Sequence, residues 1–349
     1  MDRRAHAHYG GIALLLVVLA GCAPKFTGPR LDPSAIAAER DRQHELYRLL
    51  HIDDYRRVNR VAWPMLTAGA ELCAARDEAR TRPPLVLGAA SRVERTGKRT
   101  APVLQVGDEA MVLAALEPEA PDGVRDGDIV LAVDRALVPP GARAVSTAEH
   151  MIEEAAGKTY APVILRVQRG SESLDAVIQP RRACIYSVDI LDSRRINASA
   201  DGRTVLVLTE LLRFLPNDSD LATVLGHEIA HNLRGHLDMR RRNVAIARAL
   251  DAMSGPRATA NQRAAAAYRS QDFERDADYV GLYLMARAGY PIDDAPNLWR
   301  KFALAEPRTI EASALSTHPS TPERFVLLDR TVSEIKAKQA AGLPLLPQR

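Results

Sequence analysis

The run LGHEIAHNLRGH, residues 225 to 236, places three histidines and a glutamate within twelve positions. As a helix of about 3.6 residues per turn, it projects His227 and His231 from nearly the same side, one turn apart. Two imidazoles so placed can bind one metal ion, and the neighbouring Glu228 can take a proton from a water activated there. The apolar residues agree with a helix. Leu221, Leu225, Ile229 and Leu233 make one stripe and Val224 shares the histidine side. Such a helix is lined by the core on most faces, as a buried metal-binding helix must be.

A catalytic zinc needs three protein ligands and an open position. The spacing HExxHxxGxxH would put the third histidine at position 237, which is Leu237. His236 stands one residue early and reads instead as a polar residue near the helix end, where the dipole favours it. The run FERDADYVG, residues 273 to 281, offers another supply: Glu274 and Asp278, one helical turn apart. Glu274 can reach the metal. Asp278 can accept the second ring N–H of a ligand histidine and fix its tautomer. Gly281 would let this helix come close to the first. Glu274 alone would read as a solvated surface glutamate; the HExxH run 43 residues upstream favours the ligand.

The beginning of the chain bears on where such a site would work. Arg3 and Arg4 precede a ten-residue apolar run, Gly11 to Ala20. It is too short to span a bilayer, which takes about 20 residues, and fits an export signal. Leu19-Ala20-Gly21-Cys22 resembles the bacterial lipobox, which implies cleavage after Gly21 and lipidation of Cys22. Ala23 after the cysteine implies sorting to the periplasmic face of the outer membrane rather than the inner. No later stretch reaches 18 apolar residues, so the rest is expected to be soluble and held to the membrane by lipid. In an oxidising compartment Cys73 and Cys184 can pair; two buried thiols are the alternative. A net charge of +3 on 47 basic and 44 acidic residues is no nucleic-acid signature. Arg240 to Arg242 read as a solvated helix face.

Residues 22 to 33 are expected to be a tether and 34 to 84 a helical segment packed on the domain that follows, with Pro64 as a break. Residues 85 to 182 turn β-rich, with strands over Met111–Leu116, Asp128–Val133, Val163–Gln168 and Ser173–Gln179 and a helix over Thr147–Ala156. The stretch GVRDGDIVLAVDRALV, residues 123 to 138, resembles part of a PDZ domain, with Arg135 where many relatives carry glycine. The resemblance implies a groove near Gln105 to Ala110 that takes a C-terminal peptide as an added strand; a plain spacer is the alternative. Residues 183 to 335 return to mixed α and β. INASADGRTVLVLTELL, from 196, reads as strand, Asp-Gly turn, strand and helix start. Helices are expected over Ser219–Leu237, capped by Asn217 or Ser219, and over Ser270–Ala288, closed by Gly289. The link 238 to 269 reads as helical with a break at Ser254-Gly255-Pro256, and 336 to 349 as a loose tail.

HEIAH, then ERDAD, then THP is the order seen in HtpX-like, Oma-like and CAAX-prenyl-protease-type zinc metallopeptidases. NASADG at 197 to 202 and LMARAGY at 284 to 290 also resemble that family. The resemblance spans about residues 185 to 330. It implies an α+β gluzincin domain with one zinc ion on His227, His231 and Glu274 and with Glu228 as base. It also implies that His318 stabilises an oxyanion or blocks the open metal position, that Arg324 holds the His318 loop, and that Asn197, Ala198, Ser199 and Ala200 form the edge strand on which a substrate peptide lies. The expected function is a lipid-anchored zinc endopeptidase of the cell envelope acting on unfolded protein. The rival expectation is a chaperone or assembly factor working through its PDZ-like domain, with a latent zinc site.

Overall fold

A computed structural model describes residues 28–88, 109–157, 160–254, 270–305, 307 and 322–348. Cys22 and His318 lie outside the described residues, as do residues 105–108 of the expected groove and 255–256 of the expected break. The chain divides after Leu46 into two compact units. The described part of the first begins helix α1, Pro33–Ala68, which continues into the second. Pro64 does not break this helix. An internal proline costs roughly 3 kcal/mol, but Val58, Val61, Ala62, Met65 and Leu66 are all buried around it. Core burial of about 1.5–3 kcal/mol per large apolar side chain outweighs that cost. The helix stops at Gly69, where a Cβ would come within 2.8 Å of Leu284 and 2.9 Å of the Met65 carbonyl.

A short helix α2, Ala70–Ala74, carries Cys73 into strand β1, Ala79–Arg82. The chain then builds a module of strands β2 (Leu85–Gly88), β3 (Met111–Ala115), β4 (Ile129–Val133), β5 (Ala136–Leu137), helix α3 (Ala144–Ala156) and strands β6 (Val163–Arg169) and β7 (Glu172–Ile178). Their order is β2-β3-β4-β6-β7, with β5 beside β4. The module has its own core, including Val112, Val130, Ile152 and Leu165. The turn between β4 and β5 holds Asp134 and Arg135 at φ of 43° and 75°. This is the left-handed region that glycine adopts without strain.

Strand β8, Arg181–Cys184, pairs antiparallel with β1, so the module's entry and exit strands lie side by side. The Cys73–Cys184 disulfide fastens the same crossing and closes a loop with a sequence separation of 111. On the module's other flank, Arg56 and Arg60 of α1 donate to the carbonyls of Leu113 and Ala115 on β3 and both reach Asp126.

Strands β9 (Ser187–Leu191), β10 (Ala198–Ala200) and β11 (Thr204–Leu208) make a three-stranded sheet in the order β10-β11-β9. The hairpin turn at Asp201-Gly202 is where the Asp-Gly pair predicts it, and Gly202 has φ of 101°. The pairing of β10 with β11 is antiparallel and that of β11 with β9 parallel, leaving β10 at the edge. Helices α4 (Thr209–Phe214), α5 (Asp218–Arg234), α6 (His236–Ser254), α7 (Ser270–Arg287), α8 (Ala295–Ala305) and α9 (Pro322–Ala340) follow. One core joins sheet, α1 and helices through Tyr186, Val205, Leu225, Ile229, Tyr283 and Leu284. The described residues 336 to 348 are not a loose tail: 336 to 340 complete α9, and Arg287 donates to the carbonyl of Leu345, which packs against the core. Among the described residues, no helix is long and apolar enough to cross a membrane.

Candidate metal centre

Helix α5 starts where Asn217 caps it, its side-chain oxygen accepting from the Asp220 N–H at 2.7 Å. Asp218 and Asp220 lie in the positive first turn. Leu221, Val224, Leu225, Ile229 and Leu233 are buried. The helix ends at Arg234, three residues before the expected Leu237, because Gly235 takes the left-handed conformation at φ 66°. His236 therefore opens the next helix rather than closing this one.

The antiparallel partner of this layer is α7, which meets α5 at a glycine pair. A Cβ on Gly281 would lie 2.9 Å from the Gly226 carbonyl carbon and 2.9 Å from the His227 nitrogen. A Cβ on Gly226 would lie 3.0 Å from the Gly281 carbonyl oxygen. Close approach of the two backbones carries Glu274 and Asp278 to the histidines. One donor atom from each of His227, His231 and Glu274 falls within 4.8 Å of the others. Nε2 of His227 lies 3.1 Å from Nε2 of His231. Each lies 3.4 Å from a Glu274 oxygen. Two imidazole nitrogens and one carboxylate, converging in a buried place, fit zinc by the chemistry of the donor set.

Asp278 accepts from Nδ1 of His227 at 2.9 Å, leaving Nε2 for a metal. Arg324 grips Asp278 with Nε and Nη2 at 2.7 Å each and stands 3.5 Å from Glu274. The guanidinium also lies 5.0 Å over the Trp299 ring; the His318 loop that Arg324 is expected to hold lies outside the described residues. Two neighbouring anions are what make a buried guanidinium tolerable. Burial alone would lift the Asp278 carboxyl, but Arg324 and His227 hold it below its ordinary range. Burial also pulls both histidines down. In His227, hydrogen bonds to Asp278 and Glu274 overcome it and raise the ring to about 10. In His231 burial wins and the ring is lowered. Glu228 is 2% exposed on the same helix.

His236, expected as a polar residue near the end of α5, is 3% exposed and contacts His231 and Asp276. Asn232 accepts the Gly202 N–H at 2.7 Å, fastening the β10–β11 hairpin to α5. Trp299 lies 5.0 Å from the His227 ring. Sequence reading assigned no role to Trp299, Asn232 or Gly226; the glycine beside the HExxH run, opposite Gly281, was the one available signal. On either side of β10, the Asn197 carbonyl accepts from the Leu208 N–H and the Asp201 N–H donates to the Thr204 carbonyl. With the alternation of an antiparallel pair, the backbone groups of Ala198 and Ala200 face the outer edge, which pairs with no strand among the described residues.

A glutamate between two histidines on one buried helix, with a second glutamate brought in by a neighbouring helix, sets three metal donors beside a carboxylate able to act as a base. Residues 166–332 match the family described as Peptidase family M48. Relatives include the mitochondrial metalloendopeptidase OMA1 of Saccharomyces cerevisiae, 30% identical over 136 residues, which are 36% of this chain and 39% of the yeast protein. OMA1 of Arabidopsis thaliana is 33% identical over 130 residues, covering 36% of this chain and 27% of that one. The Beta-barrel assembly-enhancing protease of Escherichia coli K12 is 28% identical over 156 residues, covering 39% and 32%. The chain thus spans well under half the length of these relatives.

Proposed function

We propose that this protein is a zinc-dependent endopeptidase that cleaves extended or unfolded protein segments. The convergence of His227, His231 and Glu274 around one point, with Glu228 on the same helix, carries this reading. Zinc on those three residues would polarise a peptide carbonyl and bring the pKa of water from about 15.7 toward about 7. Glu228 accepts the proton of the attacking water as the new C–O bond forms. It then delivers that proton to the leaving nitrogen as the C–N bond breaks. Asp278, held by Arg324, keeps His227 in the Nε2-facing tautomer. The free edge of β10 pairs with substrate main chain at Ala198 and Ala200, which reads backbone more than side chains and so favours unfolded segments. Such selection suits protein quality control, a role supported by relatives that are themselves proteases.

The same proposal anchors the protein by a lipid on Cys22 to the periplasmic face of the outer membrane. The lipobox-like run supports this, and so does a disulfide, which persists in an oxidising compartment. The β2–β7 module with α3 is assigned as a PDZ-like domain offering a groove to a C-terminal peptide.

Zinc content and cleavage of an unfolded protein, measured for the wild type and Glu228→Gln, test the central claim. Both should bind one zinc ion. The variant should cleave about 10²- to 10⁴-fold more slowly, the usual contribution of a general base. A zinc-loaded wild type that cleaves no unfolded protein, or a variant that cleaves equally well, would overturn it and favour the chaperone reading.

A further inference from the structure

His236 supplies none of the three metal donors, yet it touches one of their carriers. His231 turns Nε2 toward His227 and Glu274. Its other nitrogen, Nδ1, lies 3.0 Å from Nδ1 of His236. Nε2 of His236 in turn lies 2.9 Å from Oδ2 of Asp276. Arg234 donates to the same Oδ2 at 2.7 Å, and Phe273 stacks on the His236 ring at 4.7 Å with 22° between planes. Ring and carboxylate are thus both held in place.

The protons along this chain follow from the donor inventory. An ionised carboxylate only accepts, so Nε2 of His236 carries the hydrogen. In a neutral imidazole that leaves Nδ1 of His236 as an acceptor, and it can take only the Nδ1–H of His231. Nε2 of His231 is then bare and faces the metal position. This arrangement satisfies the contacts of His236 with His231 and Asp276, and it is the one a metal ligand needs. His227 receives the equivalent support from Asp278 directly.

We infer that His236, oriented by Asp276, is a positioning residue that fixes the tautomer and ring plane of the metal ligand His231. This rests on the metal-site reading above. Its test is the zinc dissociation constant of the full chain, obtained by competition with a chromogenic chelator, alongside thermal unfolding of the metal-free protein. His236→Ala should bind zinc about 10- to 100-fold more weakly, the usual cost of losing such a support. His236→Asn, whose amide oxygen can stand where Nδ1 stood, should recover much of that affinity. Asp276→Asn should give a smaller loss. If His236→Ala does not fold, the other two variants decide. Zinc binding as tight as wild type in His236→Ala or in both other variants overturns the inference, and so does an Asn variant as weak as the Ala variant. A wild type that binds no zinc sinks the metal-site reading itself, whereas a zinc-binding wild type matched by its variants sinks this inference alone.

Discussion

Gly281→Ala probes the contact on which the metal centre depends. The added methyl would sit 2.9 Å from the carbonyl carbon of Gly226 and 2.9 Å from the nitrogen of His227, both backbone atoms. Comfortable carbon contacts begin near 3.5–4.0 Å, so α5 and α7 must part by on the order of 0.5–1 Å. Neither side can yield by a rotamer change. Overpacking of this kind costs about 1–3 kcal/mol. Replacing a helical glycine by alanine otherwise gains up to about 1 kcal/mol. The two terms oppose, and we expect a net loss of about 1–2 kcal/mol in urea denaturation of the metal-free protein. The parting acts on the metal as well, because His227 rides on one helix and Glu274 on the other. Zinc affinity should therefore fall by about tenfold or more, since 1.4 kcal/mol is a factor of ten. A variant that is as stable as the wild type, or more stable, and holds zinc with the same dissociation constant would refute the close approach of these helices.

Three further outcomes follow from the same geometry. Arg324→Ala strands the Asp278 carboxylate in the interior and should cost about 3–5 kcal/mol in chemical denaturation, far more than loss of a surface charge. Reduction of Cys73–Cys184, or Cys73→Ser with Cys184→Ser, should lower unfolding stability by about 4–5 kcal/mol, the entropy of a loop of about 100 residues, because the bridge spans a sequence separation of 111. Ala200→Pro removes an N–H from the free edge of β10 without removing a bond to β11. It should weaken kcat/KM on unfolded protein while leaving the melting temperature near wild type.

Residues that are neighbours along one helix were legible from the sequence. The four-residue spacing of His227 and His231, the stripe from Leu221 to Leu233 and the Asn217 cap depend only on helical periodicity and local hydrogen bonding. The strands of the β module and the Asp201-Gly202 hairpin were readable for the same reason. Pro64 misled because local propensity says nothing of the core that buries the following turn. His236 misled because Gly235 ends the helix before it and redirects the chain, placing that ring beside His231 instead of at the helix end. The final residues, polar and proline-containing, gave no sign that Leu345 packs on the core.

Taken by itself, the sequence determined which side chains could serve as donors and base, since chemistry and helical spacing are written in residue type and order. The HExxH and ERDAD runs pointed to Glu274 as the third donor, but they did not determine how it meets the histidines, that Arg324 clamps Asp278, or that His236 and Asp276 support His231. Those relations join residues about 40 to 50 positions apart, or a side chain with the helix that follows it. The contacts between α5 and α7 exist because two glycines let the helices touch at the backbone; Gly281 hinted at that approach, but its distance and the side chains it brings together are set by packing.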